Sequence, residues 1–258
     1  MSLGMIEKIT ALNVMKKYPK ELFYKGNLEL LHRPKVSIVG TRRPSQYTKQ
    51  FTHTLARALA KRGVCVVSGA AMGVDAIAHE GAGADNTIAV VASGLDIRYP
   101  VTNKNLIESI ENKGLVMSQF KDGFRATGWS FVVRNEVVVA LGDMLIVAQA
   151  DLNSGSMRSV EFAQKMGKRI FVLPHRLGES SGTSLLLKND EAKAIHDIDA
   201  FVAQFGVEVE SKLEKDEFFY FCQKSPTFDE SIKKFGERVY EAELEGIITI
   251  QEGIVRLT

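Results

Sequence analysis

The chain has 258 residues, of which 45% are hydrophobic and 25% are charged, and a formal net charge of +2. This composition is typical of an ordinary soluble protein with one substantial core and a small appendage. No apolar run reaches transmembrane length and the N-terminus lacks a secretory apolar core, which argues against membrane-spanning and secreted proteins. Cys65 and Cys222 form neither a disulfide framework nor a metal motif, so we expect a reducing, cytoplasmic location.

The charge is distributed unevenly along the chain. Residues 207–258 contain 7 Lys and Arg against 12 Asp and Glu, a net charge of −5, which leaves +7 for the rest. Between Leu30 and Val74 there are eight basic residues and no carboxylate: Arg33, Lys35, Arg42, Arg43, Lys49, Arg57, Lys61 and Arg62. A basic body of this kind favours an anionic, phosphate-bearing ligand.

Short β-rich runs alternate with helical patterns through the body of the chain. Residues 1–35 are a lead-in, and the first four, which precede a second methionine, are set aside as a candidate expression scar. Six apolar runs predict buried strands: Val36–Gly40, Val64–Gly69, Thr87–Ala92, Leu115–Phe120, Met144–Ala148 and Arg169–Pro174. Helices are predicted at Tyr47–Arg62, Asn103–Asn112, Phe131–Leu141 and Ser156–Met166, and residues 183–205 add a helix, an edge strand and a last helix. The alternation predicts an α/β fold over residues 36–206, a doubly wound, mostly parallel, Rossmann-like sheet.

The last fifty residues are predicted to be a separate module. Residues 207–215 are polar and charged and are predicted to be a linker. Three short helices follow at Asp216–Lys224, Thr227–Phe235 and Glu237–Leu244, then a hairpin at Ile247–Leu257. Three helices and a hairpin are the parts of a winged helix, so residues 216–258 are predicted to form a winged-helix-like module. Its acidity argues against simple binding to nucleic acid.

Two glycine-containing loops at predicted strand ends form the first candidate site. Together they supply seven candidate residues: Gly40, Thr41, Arg42, Arg43, Ser68, Gly69 and Gly73. Strand ends and helix N-termini present free amide groups to anions, so these loops are predicted to bind a ligand with more than one phosphate. The small residues of the second loop are equally consistent with a structural turn. For Asp75 we expect a structural role in the first turn of a helix.

Two further segments contain candidate ligand-binding residues. Ser154, Gly155 and Ser156 follow the fifth predicted strand, where a helix cap explains them as well as ligand contact does. Between Lys121 and Asn135, basic and aromatic residues are interleaved: Lys121, Arg125, Trp129, Phe131, Arg134 and Asn135. A cation beside an exposed ring suits an unpaired base and its phosphate. Either ring taken singly is also explained as a core anchor, and Arg134 indicates a cleft or a buried pair.

The motifs of several enzyme classes do not occur in the sequence. The first loop lacks G-x-G-x-x-G and the second strand ends in Ser68-Gly69 rather than an acidic residue, which disfavours a nicotinamide dinucleotide. Neither G-x-x-x-x-G-K-[ST] nor G-x-S-x-G is present, so ATP hydrolysis and serine hydrolysis have no support. The five histidines form no H-E-x-x-H and are expected to be surface or core residues. We therefore expect no cofactor and no metal.

Several short motifs occur in a fixed order between about Phe23 and Phe205. They are Gly40-Thr41-Arg42, Ser68-Gly69 with Gly73-Val74-Asp75, Ser93-Gly94-Leu95-Asp96 with Tyr99-Pro100, Phe131-x-x-Arg134-Asn135, Ser154-Gly155-Ser156 and Gly182-Thr183. As an ordered set they resemble the bacterial DNA-processing protein A (DprA/Smf) family. The resemblance implies a Rossmann-like domain that binds single-stranded DNA, protects incoming strands during natural transformation and hands them to the RecA recombinase, usually as a homodimer.

The residues and the resemblance together predict a single-stranded DNA-binding mediator without catalysis of its own. Its arginines and lysines would hold phosphates, its glycine loops would form amide cradles, and Trp129 or Phe131 would stack a base. A competing hypothesis is a phosphoribohydrolase-like nucleotide-processing enzyme on the same fold, whose P-G-G-x-G-T-x-x-E loop is matched only at Gly155 and Glu161. A third is a scaffold whose function is its dimer surface.

Overall fold

The structure of the chain is a computed structural model that describes residues 4–6, 8–206, 217–251 and 253–257. The chain divides into two compact units near residue 209. The predicted linker at residues 207–215 lies outside the described residues. In the described ranges, no helix is both long enough and apolar enough to cross a membrane.

Among the described residues, nine strands form a sheet at the centre of the first unit. Its strands are β1 (Gly4–Met5), β2 (Phe23–Gly26), β3 (Lys35–Val39), β4 (Cys65–Ser68), β5 (Thr87–Val90), β6 (Leu115–Ser118), β7 (Met144–Val147), β8 (Ile170–Val172) and β9 (Lys193–Ala194). They lie in the order β1-β2-β6-β5-β4-β3-β7-β8-β9. The β1–β2 and β2–β6 pairs are antiparallel, and every pair from β6 to β9 is parallel. The six predicted strands are β3 to β8, and the mostly parallel α/β sheet is confirmed.

Helices cover both faces of this sheet. They are α1 (Gln46–Lys61), α2 (Val74–Ala82), α3 (Lys104–Lys113), α4 (Gly128–Leu141), α5 (Gly155–Lys165), α6 (Ser181–Lys188) and α7 (Ile198–Ala203). Leu55, Ala56 and Leu59 of α1 are buried in one core cluster with residues of α2 and α7. Residues of α4, α5 and α6 pack in a second cluster. Because strand residues point alternately to the two faces, Val66 belongs to the first cluster and Val67 to the second.

The N-terminal lead-in contributes to the same core. Leu12, Leu22 and Leu30 are buried in the cluster that also contains residues of α4. β2 pairs antiparallel with β6, with Phe23 opposite Ser118. The sequence pattern did not predict these elements because a four-residue strand between short 3₁₀ turns is too short to show a periodic signal.

The loops after β3 and β4 meet at the carboxyl edge of the sheet. Gly73, the residue before α2, has φ +80°, and a Cβ built on it would lie 2.5 Å from the Thr41 carbonyl oxygen. The Val74 amide donates a hydrogen bond to that same oxygen at 3.1 Å. Only glycine allows both this backbone conformation and this approach. The two predicted phosphate loops are therefore in direct contact.

The second unit has its own small core. It contains α8 (Glu217–Cys222), α9 (Phe228–Phe235), α10 (Arg238–Leu244), β10 (Ile248–Gln251) and β11 (Ile254–Leu257), with the two strands paired as a hairpin. Thr227 and Glu230 form a reciprocal capping box that begins α9. The core residues are Phe218, Cys222, Val239, Ala242, Ile248 and Val255. This is the order of three helices and a hairpin that the sequence predicts for a winged-helix-like module.

Candidate functional site

A pocket opens where the loops after β3, β4 and β5 meet the start of α4. The empty space between its walls is about 350 Å³, counted together with the open solvent at its mouth. Its lining is mainly apolar or small: Arg42, Gly69, Ala71, Met72, Ala92, Ser93, Tyr99, Pro100, Ala126 and Phe131. The pocket lies at the carboxyl ends of parallel strands, where doubly wound sheets bind their ligands.

An arginine side chain lies at the rim of this pocket, against an aromatic ring. The Arg42 Cζ atom is 5.2 Å from the centroid of the Phe131 ring, a cation–π geometry. The Tyr99 ring lies 6.1 Å away from the same ring, centroid to centroid. Arg42 is exposed and Phe131 is partly buried. The guanidinium is therefore held beside the pocket while its charge stays available to an anion from solvent.

Buried side chains hold the floor of the pocket, the loop of residues 69–73, through its amide groups. The Asp75 carboxylate accepts hydrogen bonds from the amides of Gly69 at 3.2 Å and Ala71 at 3.4 Å. Ala70, between them, has φ +55°, a left-handed conformation that costs a non-glycine residue about 1–3 kcal/mol unless its surroundings enforce it. The amides of Met72 and Gly73 have no hydrogen-bond partner among the described residues.

The carbonyl groups of the same loop are also held. The Arg134 guanidinium donates to the carbonyl of Gly69 and, at 2.8 Å, to that of Val90. The Asn103 side-chain amide donates to the carbonyls of Ala70 and Ala71, each at 3.0 Å. The loop therefore has a fixed backbone before any ligand arrives, which lowers the conformational entropy lost on binding.

Arg134 is an interior residue rather than a surface cation. It is buried, and its Cζ atom lies 5.8 Å from the Phe131 centroid, so this ring contacts both Arg134 and Arg42. Burial is the main influence on the pKa of Arg134 and lowers it, opposed by the charge of Asp75. Burial also raises the pKa of Asp75, opposed first by the charge of Arg134. The sequence predicted either a cleft or a buried pair for this arginine, and the structure shows it buried beneath the pocket.

A histidine supports the same loop from inside the protein. The Ala70 amide donates to Nε2 of His79 at 3.3 Å, and Nδ1 of His79 lies 2.6 Å from the Thr87 hydroxyl oxygen. The Thr87 hydroxyl donates its single proton to the Val66 carbonyl. Nδ1 must therefore carry the imidazole proton and Nε2 must be the acceptor. Burial, with the charge of Arg134 as a second cause, lowers the pKa of His79 to about 3 and keeps the ring neutral.

The predicted residues Lys121, Arg125 and Trp129 are exposed, on or just after the loop that leads into α4. Lys121 forms an ion pair with Glu21 at 3.2 Å, both side chains being well exposed. The Trp129 ring contacts Phe120 edge to face, with centroids 5.9 Å apart. Asn135 is partly buried on α4. Of this segment, Ala126 and Phe131 line the pocket.

Other predicted residues have structural partners. The Ser68 side chain is fully buried and its hydroxyl donates to the Ile38 carbonyl at 2.6 Å. A Cβ on Gly40 would lie 2.6 Å from a methyl group of Val74, so this glycine permits close packing of α2. The Thr41 amide donates a hydrogen bond to the Gln149 carbonyl, which connects the loop after β3 to the loop after β7.

The Ser154–Ser156 loop lies at the start of α5, after β7, and does not line the pocket. Ser156 is buried, whereas a Cβ on Gly155 would meet no atom within 4 Å. The Ser154 hydroxyl oxygen is buried and has no partner among the described residues. The structure therefore brings Arg42, Gly69 and Phe131 together at the pocket, and Ser154–Ser156 lie outside that group.

The sequence indicates no site role for Asn103 or His79. Asn103 lies just before α3, where its pattern predicts only a helix start. His79 was expected to be a surface or core histidine, and it is a core residue that acts on the pocket loop. No local motif marks either residue, because their role depends on how α2 and α3 pack against a loop formed elsewhere. Among the described residues, no cluster of three His, Cys, Asp or Glu side chains could hold a metal ion.

Comparison with known proteins gives relatives for the first unit. The family model of DNA recombination-mediator protein A matches residues 8–206. The DNA processing protein DprA of Streptococcus pneumoniae strain R6 is 37% identical over 191 residues, 72% of this chain and 67% of that protein. Protein Smf of Escherichia coli K12 is 34% identical over 176 residues, 66% of this chain and 47% of that protein. The matched region thus spans about half to two thirds of the curated relatives.

Solved structures agree with these sequence matches. DNA processing protein A from Helicobacter pylori, whose structure was described for its single-stranded DNA binding mode, is 46% identical with a TM-score of 0.77. The match covers 78% of this chain and 94% of that one. DprA from Streptococcus pneumoniae is 32% identical with a TM-score of 0.72, covering 81% and 75% of the two chains. The chain therefore belongs to the bacterial DNA processing protein A (DprA/Smf) family of DNA-processing and recombination-mediator proteins.

Proposed function

We propose that this chain binds single-stranded DNA at the pocket between the loop of residues 69–73 and α4. The observation that carries the proposal is the exposed Arg42 guanidinium, held against Phe131 at the rim of a small, mainly apolar pocket. A phosphate of the strand pairs with Arg42, and the adjacent base enters the pocket. The strand-binding mode described for the Helicobacter pylori relative, at 46% identity, supports this assignment.

The shape of the site favours single strands over duplexes. A base must leave its stack to enter a pocket, and an unpaired strand pays little free energy for that movement, whereas a duplex must first break pairing and stacking. Arg43, Lys121 and Arg125, all exposed, extend the binding surface by holding further phosphates. Arg134 and Asp75 contribute by fixing the pocket loop. We propose a role in strand binding also for Asn135, and a structural role, as the start of α5, for the Ser154–Ser156 loop.

The biological role rests on family membership. We propose that the protein protects incoming single strands during natural transformation and loads the RecA recombinase onto them, acting as a homodimer in the cytoplasm and without catalysis of its own. Cys65 is a buried free thiol in the structure, which suits a reducing compartment. Binding of strand and of RecA by one mediator would couple protection to delivery.

The test is a titration of fluorescein-labelled oligonucleotides, followed by anisotropy. Single strands should bind more tightly than a duplex of the same length at matched salt, and a nucleoside monophosphate should compete poorly. Equal affinity for the two forms would indicate a plain electrostatic surface instead. Release of a base from the monophosphate, abolished in Glu161→Gln, would favour the phosphoribohydrolase hypothesis. In the structure Glu161 forms an exposed ion pair with Arg158 at 2.9 Å.

A further inference from the structure

The two aromatic residues at the start of α4 have opposite surroundings. Trp129, the single tryptophan of the chain, is 64% exposed, although an indole is among the largest apolar groups a protein can bury. Its one ring contact is with Phe120, edge to face, among the described residues. An exposed ring held by one neighbour keeps surface free for a flat partner.

Two exposed cations precede this indole in the sequence. Arg125 and Lys121 are both exposed on the segment that leads into α4. The ion pair of Lys121 with Glu21 joins two exposed side chains, and such pairs are weak enough for a phosphate to compete with the carboxylate. Exposed rings beside mobile cations are the arrangement by which single-strand binding proteins stack bases and track the backbone.

Phe131 lies in a different environment. Its ring has the Arg42 guanidinium at 5.2 Å and the Arg134 guanidinium at 5.8 Å, with the Tyr99 ring at 6.1 Å. A base stacking on Phe131 would have to displace Arg42, the cation that the proposed strand site needs. The Phe131 ring therefore acts on the strand through Arg42.

We propose that Trp129 stacks an unpaired base directly, whereas Phe131 is a positioning residue that holds Arg42 over the pocket. This inference rests on the proposed single-strand binding and assigns different roles to two residues that lie two positions apart. Because α4 advances about 100° per residue, positions 129 and 131 point to different sides of the helix. One ring then contacts a base outside the pocket, and the other forms the pocket wall.

The single tryptophan makes the test direct. A fluorescein-labelled oligo-dT reports affinity by anisotropy, and an unlabelled oligo-dT reports stacking by quenching of the intrinsic Trp129 emission. We expect quenching on binding, and a loss of affinity of about 5- to 150-fold in Trp129→Leu, the range for one base stacked on an aromatic side chain. Trp129→Phe should restore most of the affinity. Val132→Ala, at an exposed position of the same helix, is the matched control and should bind as the wild type does.

The positioning role of Phe131 is tested by the salt dependence of binding and by a double variant with Arg42. Phe131→Leu should weaken binding, keep the Trp129 quenching at saturation, and lower the log–log salt slope by about 0.7, the loss of one phosphate contact. Arg42→Ala should give the same slope, and the double variant should bind no more weakly than Arg42→Ala. Phe131→Met serves the same purpose if the leucine variant unfolds. Multiplicative losses in the double variant would overturn the positioning role.

The outcomes separate this inference from the proposed function. Absence of any anisotropy change in the wild type would overturn both. Strand binding with unchanged tryptophan emission and full affinity in Trp129→Leu would overturn the stacking role alone, and would leave single-strand binding in place.

Discussion

Two loops at the carboxyl edge of the sheet look alike in sequence and differ in structure. Residues 69–73 and Ser154–Ser156 are both glycine-containing segments that follow a buried strand and begin a helix. In the first, Asp75, His79 and Arg134 bind the backbone, and Arg42 lies beside it at the pocket. In the second, Gly155 has open space around it and the Ser154 hydroxyl has no partner among the described residues. The loop that lines the pocket is therefore distinguished from the other by the buried side chains that hold it, not by its own residues.

The largest loss of stability and strand binding is expected when a methyl group is added to the first of these two loops. A Cβ on Gly69 would overlap Nη1 of Arg134 and lie 2.7 Å from Oδ2 of Asp75. Gly69→Ala should therefore lower the free energy of unfolding by about 1–3 kcal/mol and abolish measurable strand binding. Gly155→Ala, which meets nothing within 4 Å at the first position of α5, should leave both stability and binding unchanged. Thermal unfolding measures stability and anisotropy measures strand affinity. Equal stability and equal affinity of the two variants would contradict the difference between the loops.

The buried histidine predicts how acid acts on the first loop. The pKa of His79 falls from 6.5 to about 3 in the folded protein, so the unfolded chain binds the additional proton between these pH values. The contribution of neutral His79 to the free energy of unfolding is complete above pH 6.5 and is lost as the pH falls towards 3. In that range the free energy of unfolding should change with a slope approaching 1.4 kcal/mol per pH unit.

Urea unfolding between pH 7 and pH 4 measures that slope. The slope should be shallower in His79→Gln than in the wild type, because the variant has no buried imidazole to protonate. His196→Gln, at an exposed histidine that precedes α7, is the matched control and should keep the wild-type slope. Identical slopes in the wild type and His79→Gln would contradict a neutral buried His79.

A smaller, electrostatic effect on strand binding is expected when an arginine near each loop is replaced. Arg42→Ala should weaken single-strand binding about tenfold and lower the log–log salt slope by about 0.7, whatever the base sequence. Arg158, on α5, is paired with Glu161, and Arg158→Ala should change neither quantity. Salt titrations of both variants, between 50 and 200 mM salt, give these slopes. An unchanged slope in a folded Arg42→Ala protein would remove Arg42 from the site.

Much of the fold could be predicted from the sequence because its signals are local. The strands β3 to β8 are near-continuous apolar runs, which is the pattern of buried parallel strands. The position of Arg42 and Gly69 at the carboxyl edge of the sheet could also be predicted, because parallel strands end on the same side of a sheet. For Arg134 the sequence leaves a cleft and a buried pair open, and it does not indicate the role of Asn103, since both depend on which helices pack beneath the loop.

The smallest effect on strand affinity is expected from the acidic second unit. It has its own core, and residues 207–258 carry a net charge of −5, which repels phosphate. A protein ending at Phe205 should therefore bind single strands as the full chain does. Altered oligomerisation or RecA loading in that protein would indicate a partner-binding module. A many-fold loss of affinity in the folded truncation would show that the second unit takes part in strand binding.

The most direct measurement is a crystal structure of the full chain with a short oligo-dT. We expect a phosphate within hydrogen-bond distance of the Arg42 guanidinium, with one base in the pocket beside Gly69 and Phe131. The backbone of residues 69–71 should be unchanged, because Asp75, Arg134 and His79 fix that conformation before binding. A strand bound at the Ser154–Ser156 loop, with an empty pocket and no contact to Arg42, would contradict the proposed strand site.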